Sequence, residues 1–242
     1  MKNQLYQVIS VLTVVAYFLP IVIVAIRKLW KETPLMLFAL YWAVGATVNL
    51  CDLLPGISEN AMVNISVIYN MLDMPIVIAI ICFTTKIRGI RNLTRVALPI
   101  YLLALCINPF IQGFNFDALK YLLGVGLILV HLIIIWDVVC QLRKLQHSNR
   151  EKAMLLINAG LLFQYGTYVI IYIFDYFYTQ VSNTTDNYIL YYISSIVGVL
   201  VGSVAYLIIR RTEAGRIRSR NSDIDPMDEP RKKEADSFFS AY

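Results

Sequence analysis

The sequence predicts an all-α, polytopic membrane protein of seven transmembrane helices, with the N-terminus outside and the C-terminus in the cytoplasm. Three observations point there: seven apolar stretches of spanning length, a 58% hydrophobic composition over 242 residues, and basic residues gathered on alternate connections. A helix rising ~1.5 Å per residue needs ~20 residues to cross ~30 Å of hydrocarbon. No water satisfies a bare backbone in that layer, so an apolar stretch of this length spans it as a helix.

In chain order, the first stretch runs from Leu5 to Ile26. It is too long for a signal-peptide core, and Tyr17 to Val24 offers no small-residue cleavage site, so it is expected to be retained. The others run from Leu35 to Leu54, Met62 to Thr84, Val96 to Phe114, Leu119 to Cys140, Ala153 to Tyr178 and Tyr188 to Ile209. Residues 1–212 thus form the transmembrane domain. From residue 213 to 242, acidic, basic and small residues mix with Pro226 and Pro230. This segment is expected to be a disordered cytoplasmic tail, with Ser237 to Tyr242 as a docking segment for a cytoplasmic partner.

Lys and Arg resist translocation near helix ends and so fix orientation. Arg27, Lys28 and Lys31 follow the first stretch, Lys86, Arg88, Arg91 and Arg95 the third, and Arg143, Lys144, Arg150 and Lys152 the fifth. Every other Lys or Arg except Lys2 and Lys120 follows the seventh. The expected site is the inner membrane, with the basic loops on anionic headgroups. The net charge of +5 is therefore a topology signal and does not imply a nucleic-acid partner.

Several function classes are expected to be absent. Seven helices leave no room for a soluble catalytic domain, and no HExxH, nucleophile elbow or Walker sequence appears, so no enzyme is expected. With His131 and His147 as the two histidines, no metal site is expected, and no cofactor either. Retinal chemistry needs a lysine in the last helix, and residues 188–209 contain none. Cys51, Cys82, Cys106 and Cys140 sit in four different stretches and read as small buried apolar residues. Asn183, Thr184 and Thr185 form a sequon that carries little weight.

Polar residues inside the membrane are costly, so their positions point to function. Asp73 lies eleven residues after Met62, ~16 Å deep at ~1.5 Å per residue. Ser66 and Asn70 share its helical face, and Pro75 removes a backbone donor just beyond it. Gly45, Asn49 and Asp52 form a similar stripe on the second helix, and Tyr165, Tyr168, Tyr172 and Asp175 one on the sixth. If these faces converge, they line an aromatic, carboxylate-bearing cavity open to the outside that suits a small cationic ligand or a proton. His131 and Gln164 reach a similar depth. The expected ligand-binding set is Asn49, Asp52, Ser66, Asn70, Asp73, His131, Gln164, Tyr165 and Tyr168. Two bland readings compete: Asp73 and His131 as buried structural polar groups, and Tyr172, Tyr176, Tyr178, Tyr188 and Tyr191 as an interfacial belt.

A receptor or sensor is the leading expectation. The alternative is a solute carrier with helices one to three and five to seven as repeats around the fourth, as in sugar-translocating SWEET proteins. Arg27-Lys28-Leu29 and Arg143-Lys144-Leu145 echo one another, although the PQ motif is missing. Gly198 and Gly202 form GxxxG, which serves either packing within the bundle or a homodimer.

Three segments resemble uncharacterised seven-helix proteins of Bacteroidota: Ile68-Tyr69-Asn70-Met71-Leu72-Asp73, Asn108-Pro109-Phe110-Ile111-Gln112-Gly113 and Ile157-Asn158-Ala159-Gly160-Leu161-Leu162. The resemblance covers residues 5–210 and implies a fold without an activity.

Overall fold

A computed structural model of the chain describes residues 2–54, 56–113, 116–144, 146–177 and 184–209, excepting the side chains at 2–4, 52, 59, 116, 117, 119 and 184–186. Asn183, Tyr178 and the expected tail 213–242 lie outside the described residues. Seven helices follow one another, with no strand among the described residues. They are α1 (Lys2–Arg27), α2 (Thr33–Leu53), α3 (Glu59–Thr84), α4 (Arg88–Gln112), α5 (Phe116–Leu142), α6 (Asn149–Phe177) and α7 (Thr184–Ile208). All seven are long and apolar enough to cross a membrane, with mean hydropathies of 1.5 to 2.7 over the spanning windows. The chain is an all-α, multi-pass membrane protein.

Helix ends follow local chemistry more than hydropathy. α1 stops in a Schellman turn: Lys28 has φ 55°, its amide donates to the Ala25 carbonyl, and the Leu29 amide donates to Val24 at 3.0 Å. Leu29 and Val24 are both buried, which supplies the apolar contact that accompanies this turn. Pro34 opens α2, where its missing N–H costs nothing. Ser148 and Glu151 cap the start of α6 reciprocally, the Ser148 hydroxyl accepting the Glu151 amide (3.2 Å) and the Glu151 carboxylate accepting the Ser148 amide (3.1 Å). α4 reaches back past Val96 to Arg88 because its buried face, with Ile90 and Thr94, continues among Arg88, Arg91 and Arg95.

Side chains sort by face. On α4, Val96, Ile100, Leu103 and Ile107 are exposed while Tyr101 and Leu105 are buried, so one stripe packs inward and the other meets lipid. In water such apolar stripes would drive aggregation; in a bilayer they are matched to their solvent. Cys106 lies on the exposed face and the other three cysteines are half-buried, all four free. The expectation that they are buried fails because a thiol is apolar enough to face lipid.

Each helix packs on its sequence neighbours, α7 closes on α1, and α3 also packs on α5. The closest approach joins α6 and α7. A Cβ built on Gly198 would stand 2.8 Å from the Gly160 carbonyl oxygen, and one on Gly202 3.1 Å from Cζ2 of Trp42. The GxxxG face is therefore spent on packing within the bundle. Arg27 adds a polar tie between α1 and α7, its guanidinium donating to the carbonyls of Tyr206 (2.8 Å) and Leu207 (2.6 Å).

Candidate functional site

Asp73 sits midway along α3 and is buried, 5% exposed. Tyr41 of α2 donates its hydroxyl to Oδ1 at 3.0 Å, and Tyr165 of α6 donates to Oδ2 at 2.8 Å. One carboxylate thereby ties three helices. Tyr69, one turn earlier on α3, directs its hydroxyl at α2. That hydroxyl fills the space left by Gly45, where a Cβ would stand 2.9 Å from it. Buried Tyr41 and Tyr165 gain from their apolar rings but need partners for their O–H groups, and Asp73 supplies both.

The Tyr41 and Tyr165 oxygens are themselves 3.0 Å apart. Asp73, Tyr41 and Tyr165 therefore form a triangle with three edges of hydrogen-bond length. Two hydroxyl protons, both directed at the carboxylate, fill only two edges. The third becomes a hydrogen bond when one more proton enters the ring. No Lys or Arg pairs with Asp73 among the described residues, whose ion pairs, Lys144–Glu151 (3.0 Å) and Arg150–Glu32 (3.7 Å), lie at the basic end of the bundle. An ionised Asp73 is thus a buried charge without a counter-charge, a state sustained at substantial cost.

A second polar knot adjoins the first. Gln164 of α6 donates to the hydroxyls of Tyr17 (3.0 Å) and Tyr168 (2.6 Å). The Tyr168 and Ser195 hydroxyls are 2.7 Å apart. From Tyr165 an aromatic column then runs toward the start of α7: Tyr165 to Tyr168 (5.6 Å between centroids), Tyr168 stacked on Tyr191 (4.7 Å), Tyr191 to Tyr192 (5.4 Å) and Tyr192 to Tyr6 of α1 (5.6 Å). The two knots and the column join α1, α2, α3, α6 and α7.

The structure brings together Asp73, Tyr165, Gln164 and Tyr168 from the expected set. It disposes of others differently. Asn49 donates to the Gly45 carbonyl and Asn70 to the Ser66 carbonyl, each at 2.8 Å. Both amides return to their own helix one turn back and do not reach the carboxylate. The Asp52 side chain lies outside the described residues. His131 is half-buried on α5 beside Gly166, its Nδ1 buried without a partner, and no hydrogen bond joins it to Asp73. Tyr191, expected in the interfacial belt, is stacked in the column. Tyr172 donates to the Lys120 carbonyl at 2.9 Å, and Tyr188 is exposed.

Sequence reasoning missed Tyr41, Tyr17 and Tyr69. The usable signal was a tyrosine at mid-helix depth, where a lone hydroxyl needs a partner. Asp137, near the basic end of α5, is buried as well. Asp137 is 5% exposed and accepts from Thr85 (3.0 Å), Asn158 (2.5 Å) and Gln141. The turn after α3 folds Thr85 over it, so burial prevails over solvation. No protein-family model, curated protein or solved structure matches the chain.

Proposed function

We propose that the protein is a seven-helix receptor of the cell inner membrane that senses one positive charge at Asp73, delivered as a proton or as the head of a small cationic ligand. The observation that carries this reading is the unfilled third edge of the Asp73–Tyr41–Tyr165 triangle around a carboxylate with no basic partner. A proton would complete the ring; an ammonium would take the free lone pairs and compete with the tyrosines. Either event changes the bonds that hold α2 and α6 to α3, and the basic cytoplasmic loops are the natural output. The aromatic column links this site to the start of α7.

Thermal-shift titration of purified protein with tyramine and spermidine, together with a scan from about pH 5 to 8, tests the reading. The expected result is a shift with at least one amine or with pH that disappears in Asp73→Asn. Shifts identical in wild type and Asp73→Asn would remove Asp73 from the role. A carrier is the second reading, favoured by a polar cavity at the basic end of the bundle in addition to the aromatic column. Proteoliposome uptake separates the two, because a carrier accumulates solute beyond binding stoichiometry.

The receptor reading places the N-terminus outside, on the strength of the Lys and Arg distribution. With Cys51, Cys82, Cys106 and Cys140 replaced by alanine, a membrane-impermeant maleimide added to intact cells is expected to label Ser58→Cys and to spare Ser148→Cys until the cells are permeabilised. The reverse pattern would invert the topology and with it the side from which a ligand arrives.

A further inference from the structure

At the basic end of the bundle, the start of α2, the end of α3, the end of α5 and the start of α6 enclose a cavity of about 60 Å³. Asp137 and Asn158 form its buried floor; Pro34, Ile81 and Met154 are apolar walls; Lys86, Lys144 and Arg150 stand at its rim. All three donors on the Asp137 carboxylate are neutral groups. Asn158 and Gln141 both use Oδ2, so Oδ1 accepts from Thr85 alone. A carboxylate has about four acceptor positions, which leaves one open on Oδ1. The Gln141 amide that donates to Oδ2 also carries a buried oxygen with no partner. The Asp137 carboxylate therefore keeps an acceptor position open, and the nearby Lys144 makes no direct contact with it and pairs instead with Glu151. The rim is already committed in part: Lys144 pairs with Glu151 and Arg150 with Glu32, while Lys86 is exposed with no ion pair among the described residues.

We infer that this cavity binds a small primary ammonium on Asp137, on a molecule whose acidic group reaches Lys86 at the rim. The ligand class is a compact amino acid or aminophosphate with the two groups a few bonds apart. Size sets the scale: about 60 Å³, at roughly 10–15 Å³ for each water-sized sphere, is room for a few waters, so an ammonium on a short carbon chain fits with the acid at the rim. A quaternary ammonium is excluded, since it has no N–H to donate to the carboxylate. The site shares no residue with Asp73 and stands whether or not the receptor reading does.

The test is calorimetric titration of the purified full-length chain with O-phosphoethanolamine, ethanolamine, phosphocholine and inorganic phosphate. Expected are binding of O-phosphoethanolamine, at least about tenfold weaker binding of phosphocholine, and none of phosphate alone, since the charge-assisted bonds are the main attraction. Lys86→Gln should weaken O-phosphoethanolamine and leave ethanolamine unchanged. Asp137→Asn should abolish both, and Asp73→Asn should alter neither. If Asp137→Asn fails to fold, Asp137→Glu, which keeps the charge but displaces the carboxylate by one carbon, is expected to weaken both amines. Equal binding of phosphocholine, or unchanged binding in Asp137→Glu, overturns the inference. Nanodiscs decide the source of the same chemistry: loss of soluble binding in phosphatidylethanolamine but not phosphatidylglycerol discs assigns the site to a lipid headgroup, and equal binding in both assigns it to a soluble solute.

Discussion

Gly160→Val is expected to abolish recovery of folded protein, and Gly160→Ala to cost about 3 kcal/mol or more, the upper range for forcing atoms into a packed interior. The reason is what a side chain at this position would strike. The Gly198 backbone carbonyl occupies the space, and the reciprocal Cβ on Gly198 would stand 2.8 Å from the Gly160 carbonyl. Backbone cannot swing aside as a side-chain tip does, so α6 and α7 would have to separate. Separation would strain the Tyr168–Ser195 bond at 2.7 Å and the seat of Trp42 on Gly202. Gly166→Ala is the control, because its Cβ would meet only the His131 imidazole edge at 3.2 Å; it is expected to cost about 1 kcal/mol or less. Unfolding by sodium dodecyl sulfate titration measures all three. A folded, monomeric Gly160→Val would show that the glycine face points out of the bundle, where it would serve a second copy.

The seven spans were legible because the bilayer imposes a length that any apolar run must meet. Helix ends were less so: Arg88, Arg91 and Arg95 look like the end of a span, yet α4 carries on through them with Ile90 and Thr94 buried on the other face. Asp73 stood out as a carboxylate with apolar sequence on both sides, and Tyr165 and Tyr168 through their spacing. Tyr41 and Tyr17 did not, since a single tyrosine in an apolar run looks the same whether it meets lipid headgroups or a buried partner. Asn49 and Asn70 had the right periodicity but a local alternative, the carbonyl four residues back, which spacing does not weigh. Asp137 depended on where the turn after α3 lands, a contact between residues 85 and 137 that no local pattern encodes.

The Asp73 triangle separates stability from function. Tyr41→Phe and Tyr165→Phe are each expected to cost about 1 kcal/mol, the range measured for hydrogen bonds between transmembrane helices. Asp73→Leu alone should cost more, about 2 to 3 kcal/mol, because it leaves two buried hydroxyls sharing a single bond with each other. The three effects should not add, since the groups share every partner. The decisive variant is the triple, Asp73→Leu with Tyr41→Phe and Tyr165→Phe, which removes every member of the ring at once. Replacing a complete buried polar cluster by apolar groups of similar volume is often neutral or stabilising, so the triple is expected to match or exceed the wild type in the same unfolding titration while losing the Asp73-dependent ligand or pH response. Such a result would mean the carboxylate is kept at mid-membrane depth for what it binds. A triple variant less stable than Asp73→Leu alone would instead assign the triangle to holding α2, α3 and α6 together, and the positive charge it was proposed to sense would have no role.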